Sequence, residues 1–147
     1  SCCACGASSV KVTGEVIRSM WQFGEFTGIA FQIKDDLFDY QRGNDTGKPD
    51  GTDIRDQKMT LPLIYLLNHS DSREKRWIIN TVRNNHDNPA EVAKLVKKVT
   101  ERGGIDYARE QMLGYRGKAI DILKTFPENP YRRSLEELVI FTTERNK

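Results

Sequence analysis

Apolar residues recur at steps of three and four along Val12, Val16, Met20, Phe23, Phe26, Ala30, Ile33 and Leu37, the period of a helix with one face in a core. The pattern predicts a helix from about Val10 to Tyr40. Thr13 and the glycines at 14, 24 and 28 lower its propensity locally, but no proline interrupts it. Some 30 residues at about 1.5 Å each make a rod about 45 Å long, which suits the central helix of a large helical bundle. Upstream, Ser-Cys-Cys-Ala-Cys-Gly-Ala-Ser-Ser reads as the end of a closely packed helix stopped by Gly6 and followed by a Ser8-Ser9 turn.

Residues 41–59 lose the period and gather Gly43, Gly47, Pro49 and Gly51, so they predict a long irregular loop. Loops of this length in compact domains tend to bind or cover ligands. Helical spacing resumes at Thr60, with Pro62 in the first turn and Leu61, Ile64, Tyr65 and Leu67 apolar. Further helices are expected over 72–84, 89–102, 104–125 and 132–145. They are punctuated by Asn88-Pro89, Gly103-Gly104 and the stretch Pro127-Glu128-Asn129-Pro130. No alternating β-branched run appears between turn signals, so the fold class is all-α. Residues 1–147 read as one domain or part of one: a long helix over 10–40, a covering loop over 41–59 and C-terminal helices over 60–147.

Composition changes this picture little. The 147 residues carry 23 basic and 21 acidic side chains, a net charge of +2, which gives no argument for a nucleic-acid or membrane partner. No apolar run approaches the about 18 residues of a membrane span, and the start lacks the pattern of a secretory signal; the expected location is cytoplasmic. Cys2 and Cys5 have C-x-x-C spacing, but no strand precedes them and no second pair follows. His69 and His86 lie far away without ligand spacing, so zinc and redox chemistry are disfavoured. The chain opens without an initiator methionine, as though inside an element, and is expected to be a fragment.

The chemistry concentrates in Phe31-Gln-Ile-Lys-Asp-Asp-Leu-Phe-Asp-Tyr40. Three carboxylates within five positions of an apolar helix repel one another and resist burial, which calls for a positive guest. On an ideal helix Asp35 and Asp39 lie about 40° apart with Gln32 beside them and Asp36 on the shoulder. Gly24 and Gly28 fall on the same stripe, and Phe23, Phe26, Ala30, Ile33 and Leu37 face the other way. A divalent cation suits such a cluster. Taken alone, Asp-Asp-x-x-Asp would as readily be a solvated acidic patch ion-paired with the basic loop beyond it. Gly43-Asn-Asp-Thr-Gly47-Lys48 fails as a nucleotide phosphate loop: it is one residue short between the glycines, and Pro49 stands where a metal-binding hydroxyl is required. The acidic residues from Asp45 to Asp56 do not match a calcium loop in either register.

The wider context is more specific. Gly28-Ile-Ala-Phe31-Gln32-Ile-Lys-Asp35-Asp36-Leu-Phe-Asp39, followed by Thr46-Gly47-Lys48-Pro49-Asp50-Gly51-Thr52-Asp53 and Lys58-Met-Thr60-Leu61-Pro62-Leu63, closely resembles the second aspartate-rich region of trans-type polyprenyl diphosphate synthases. The likeness is strong over the first 65 residues. It continues more weakly through Gly104-Ile-Asp-Tyr-Ala-Arg109 and from Phe126 to Lys147.

This resemblance implies an isoprenoid-synthase helical bundle. It also implies an enzyme that joins an allylic diphosphate to isopentenyl diphosphate, using Mg2+ held by Asp35, Asp36 and Asp39. Phe31 and Gln32 would line the substrate cavity, Lys48 would hold the allylic diphosphate, and Lys58 would assist. A homodimer is expected of the full-length protein. The family's other aspartate-rich motif is absent from this sequence, so the chain resembles the C-terminal half of such an enzyme, and the half by itself is expected to be inactive. A terpene cyclase and a non-catalytic helical regulatory subunit are the competing readings. The Phe-Gln before the aspartates and the Thr-Gly-Lys-x-x-Gly-Thr-Asp after them argue against the cyclase.

Overall fold

The computed structural model describes residues 2–41 and 51–145. Among the described residues it contains helices and no strand: α1 (Cys2–Ser9), α2 (Gly14–Gln41), α3 (Thr52–Arg55), α4 (Leu61–Asn68), α5 (Ser72–Asn84), α6 (Pro89–Glu101), α7 (Gly104–Lys124) and α8 (Pro130–Glu144). Two compact units divide the chain, residues 1–34 with 111–147 and residues 35–110, the boundaries falling inside α2 and α7.

In the first unit, Gly6 does not stop α1. The helix continues through it to Ser9, whose hydroxyl donates to the Gly6 carbonyl at 2.7 Å, and Val10 N–H turns back to Ala7. The chain breaks two residues after Ser9, at Lys11, whose φ of 54° leaves the helical region. Hence α2 starts at Gly14 and not near Val10. The expected apolar stripe is buried at Phe23, Ala30, Ile33 and Leu37 and half-buried at Val16, Met20 and Phe26, while Val12, ahead of α2, is exposed. Within this unit Phe23 packs with Ala119, Leu123 and Val139, flanked by Met20, Phe26 and Leu135. Pro130 occupies the first turn of α8, where its missing N–H costs nothing, and Asn129 caps Arg132 N–H. That capping sets the start of α8 two residues ahead of the expected 132.

In the second unit, α4, α5 and α6 pack around Leu63, Leu66, Ile78, Val82, Val92, Leu95, Val96 and Val99, with Ile54 and Tyr40 closing the core. Side-chain caps set the starts of two of these helices. Asp71 accepts the N–H groups of Arg73 and Glu74, and Asn88 those of Ala90 and Glu91. Gly104 begins α7 where a Cβ would come within 2.6 Å of the Pro62 carbonyl and 3.1 Å of Val99. Only glycine fits that approach.

Of the expected irregular stretch 41–59, residues 42–50 lie outside the described residues; within 51–59 the chain forms the short turn α3, whose Ile54 is fully buried. Burying that side chain gives the segment an apolar anchor that its polar composition conceals.

Candidate functional site

The second unit takes the last two turns of α2, and with them the three carboxylates. The buried face ends in Leu37, Phe38 and Tyr40, all 7% exposed or less. Asp35 and Asp36 are half-buried, while Asp39 is 7% exposed. Helical spacing puts Asp35 and Asp39 on one face, yet the three aspartates differ in depth.

The surroundings of Asp39 account for its burial. Its Oδ1 accepts the N–H of Thr52 at 3.0 Å, and its Oδ2 accepts the N–H of Asp53 at 3.1 Å. Burial raises its pKa above the ordinary carboxylate value, against the lowering effect of the Asp53 N–H, and the nearby Asp53 charge raises it further. One position on, Tyr40 shares a buried hydrogen bond of 2.8 Å with the Thr60 hydroxyl. Burial pushes the Tyr40 phenol well up, and the negative charges of Asp39, Asp53 and Asp36 add to that push.

Lys58 lies 3.0 Å from the Asp53 carboxylate and 3.2 Å from that of Asp56. Its own side chain is 58% exposed, and the hydrogen bond to Asp53 is the main reason its pKa is raised. Phe31 and Gln32 belong to the first unit. There Phe31 is half-buried with the Arg145 guanidinium 4.7 Å from its ring centre, and Gln32 is exposed. Lys48 lies outside the described residues.

Among the described residues, no group of three or more His, Cys, Asp or Glu side chains is assembled to hold a metal ion. Asp35 and Asp36 each carry a half-buried carboxylate, the hard oxygen donor type with which divalent cations combine water and ligand oxygens. Elsewhere in the second unit, an open groove of about 470 Å³ between α5 and α6 is lined by Trp77, Lys94, Lys98 and Arg102. Its chemistry is largely internal: Trp77 Nε1–H donates to Glu91 at 2.8 Å, and Glu74 pairs with Lys98.

Sequence reasoning did not find the contacts of Asp39 with Thr52 and Asp53 or of Tyr40 with Thr60. Thirteen to twenty residues separate the partners, and neither backbone N–H groups nor a buried hydroxyl leaves a signal in spacing. The one available sign was the Gly-Thr-Asp of 51–53, a chain reversal placed directly before two amides that need acceptors.

Comparison with known proteins assigns the chain to a family. The sequence profile of the family described as Polyprenyl synthetase matches residues 1–99. The octaprenyl diphosphate synthase of Haemophilus influenzae is 28% identical over 130 residues, covering 88% of this chain and 39% of that protein. The crystal structure of a geranylgeranyl pyrophosphate synthase from Bacteroides thetaiotaomicron superposes with a TM-score of 0.87 at 34% identity, over 98% of this chain and 48% of that one. A polyprenyl synthase from Caulobacter crescentus, solved with calcium and isoprenyl diphosphate, gives a TM-score of 0.80 at 30% identity, over 97% and 44% respectively. The chain therefore spans less than half the length of these relatives. No helix among the described residues is long and apolar enough to cross a membrane.

Proposed function

Because the chain belongs to the polyprenyl synthetase family, we propose that the full-length protein lengthens an allylic diphosphate by condensation with isopentenyl diphosphate. The observation that carries this reading is the placement of Asp35 and Asp36, half-buried on the last turns of α2, inside the segment that matches the family.

Two half-buried carboxylates fit magnesium. That ion prefers one or two protein carboxylates and keeps its remaining positions for water and phosphate oxygens. When bound, it supplies positive charge that favours departure of diphosphate from the allylic carbon. The role of the chain is to hold the carboxylates still. Leu37 and Ile33, 2% and 7% exposed, lock the opposite face of the helix, so Asp35 and Asp36 meet a diphosphate without reorganising. Phe31 and Gln32, one turn earlier, would border the substrate, and Lys58 would lend positive charge beside it. The full-length protein is expected to be a homodimer. The 147-residue chain, which contains one aspartate-rich motif, is expected to show no turnover alone.

The test is an assay of the full-length protein with labelled isopentenyl diphosphate, an allylic diphosphate and magnesium. Asp35→Ala and Asp36→Ala should each lower kcat by about 10²–10³, the usual scale for loss of one preorganised electrostatic group. Wild-type product formation without added divalent metal after chelation, or undiminished turnover in both variants, would refute the reading.

A further inference from the structure

The three aspartates of α2 are equivalent in the sequence motif but not in the fold. Asp39 is 7% exposed, and each of its carboxylate oxygens is engaged by a backbone N–H, that of Thr52 at 3.0 Å and that of Asp53 at 3.1 Å. These are the first two amides of α3 (Thr52–Arg55). The opening N–H groups of a helical turn have no partner within it, and the side chain of the residue just before ordinarily satisfies that of the second or third residue. That residue here is Gly51, which has no side chain to offer, and no side-chain cap comes from it.

Gly51 cannot be replaced by an ordinary capping residue. Its φ is 57°, and a Cβ there would come within 2.5 Å of Val92 and 3.3 Å of Val96. The close approach to α6 that excludes a side chain at 51 leaves two amides to be capped from elsewhere. Asp39 supplies the acceptors from thirteen residues upstream.

We infer that Asp39 is a positioning residue, the remote cap that joins the end of α2 to the turn 52–55, and that metal and diphosphate are left to Asp35 and Asp36. Through this joint Asp39 also places the Asp53 carboxylate, which is 15% exposed and holds Lys58 at 3.0 Å, next to the end of α2. A cation at Asp39 would have to compete with two N–H donors already in place, at a carboxylate with little access to solvent. The inference rests on the proposed function for the roles of Asp35 and Asp36, while the capping itself does not depend on it.

The experiment uses the full-length protein and the variants Asp39→Ala, Asp39→Asn and Asp35→Asn. Three quantities are read: amide exchange of residues 51–58 by mass spectrometry, Mn2+ binding in the presence of inorganic pyrophosphate, and turnover. Loss of the cap in Asp39→Ala should speed exchange in 51–58 by about tenfold or more, while Mn2+ affinity stays within about twofold. Asp39→Asn keeps an acceptor oxygen and the side-chain shape but not the charge. It should recover much of the protection and keep turnover within about tenfold of the parent. Asp35→Asn should show the converse, weakened Mn2+ binding with unchanged exchange in 51–58. Unchanged exchange in Asp39→Ala would overturn the inference. So would an Asp39→Asn protein that loses Mn2+ as severely as Asp35→Asn. If Asp35→Asn left both Mn2+ binding and turnover intact, the proposed function would fail, and the exchange of 51–58 would still decide the role of Asp39.

Discussion

The Tyr40 and Thr60 hydroxyls lie 2.8 Å apart, both residues no more than 5% exposed, so the end of α2 is tied to the N-cap residue of α4 across twenty positions of sequence. Thr60 makes no side-chain cap to its own helix, and its hydroxyl is committed to Tyr40 instead. Removing one partner leaves the other buried without its bond. Tyr40→Phe and Thr60→Val should each destabilise by about 1–2 kcal/mol, and the double variant should cost less than the sum. Urea unfolding of the four proteins checks this; strict additivity would contradict the direct bond.

Gly104→Ala should be among the most damaging conservative substitutions. The added methyl would meet the backbone carbonyl of Pro62 at 2.6 Å and the Val99 carbonyl at 3.1 Å, and a backbone cannot swing aside as a side chain end does. A loss of about 1–3 kcal/mol is expected, the scale of overpacking. Gly114→Ala, within α7 and with nothing inside 4 Å of its Cβ position, should go the other way by about 0.5–1 kcal/mol, because alanine suits a helix better than glycine. Equal midpoints in thermal unfolding for the two variants would refute the contrast.

The core of the second unit predicts a larger loss. Leu95 is fully buried among α4, α5 and α6, and Leu95→Ala removes its contacts while leaving a void. The expected cost is about 2–5 kcal/mol. An exposed neighbour on the same helix, Lys97→Ala, serves as control and should change stability by less than about 0.5 kcal/mol.

Acid should loosen the start of α5. The Asp71 carboxyl is held below its ordinary range, chiefly by the Glu74 N–H, and the Glu74 carboxyl likewise, chiefly by the Lys98 ammonium. A depressed acid contributes its stabilisation fully above its unfolded value, near about 4, and loses it as pH falls through the folded value. Stability should therefore decline below that range. Asp71→Asn combined with Glu74→Gln should flatten the decline, since neither replacement titrates. Denaturant midpoints measured from neutral pH down into the acid range would show it, and an undiminished acid slope in the double variant would count against the assignment.

The sequence by itself determined the helices and the motif. Steps of three and four residues fix which face of α2 enters a core, and Pro62, Pro89, Gly103-Gly104 and Pro130 mark where α4, α6, α7 and α8 begin; both are local, written within a turn or two of the residues concerned. The same locality makes Asp-Asp-x-x-Asp readable as a carboxylate cluster. Only the tertiary structure decided that α1 continues past Gly6, that Ile54 draws a turn out of the polar stretch after α2, and that Asp39 is 7% exposed while Asp35 and Asp36 are half-buried. The reason is physical. Asp39 is distinguished by backbone amides thirteen and fourteen residues away, which every residue type but proline can supply, so no pattern of side chains announces them.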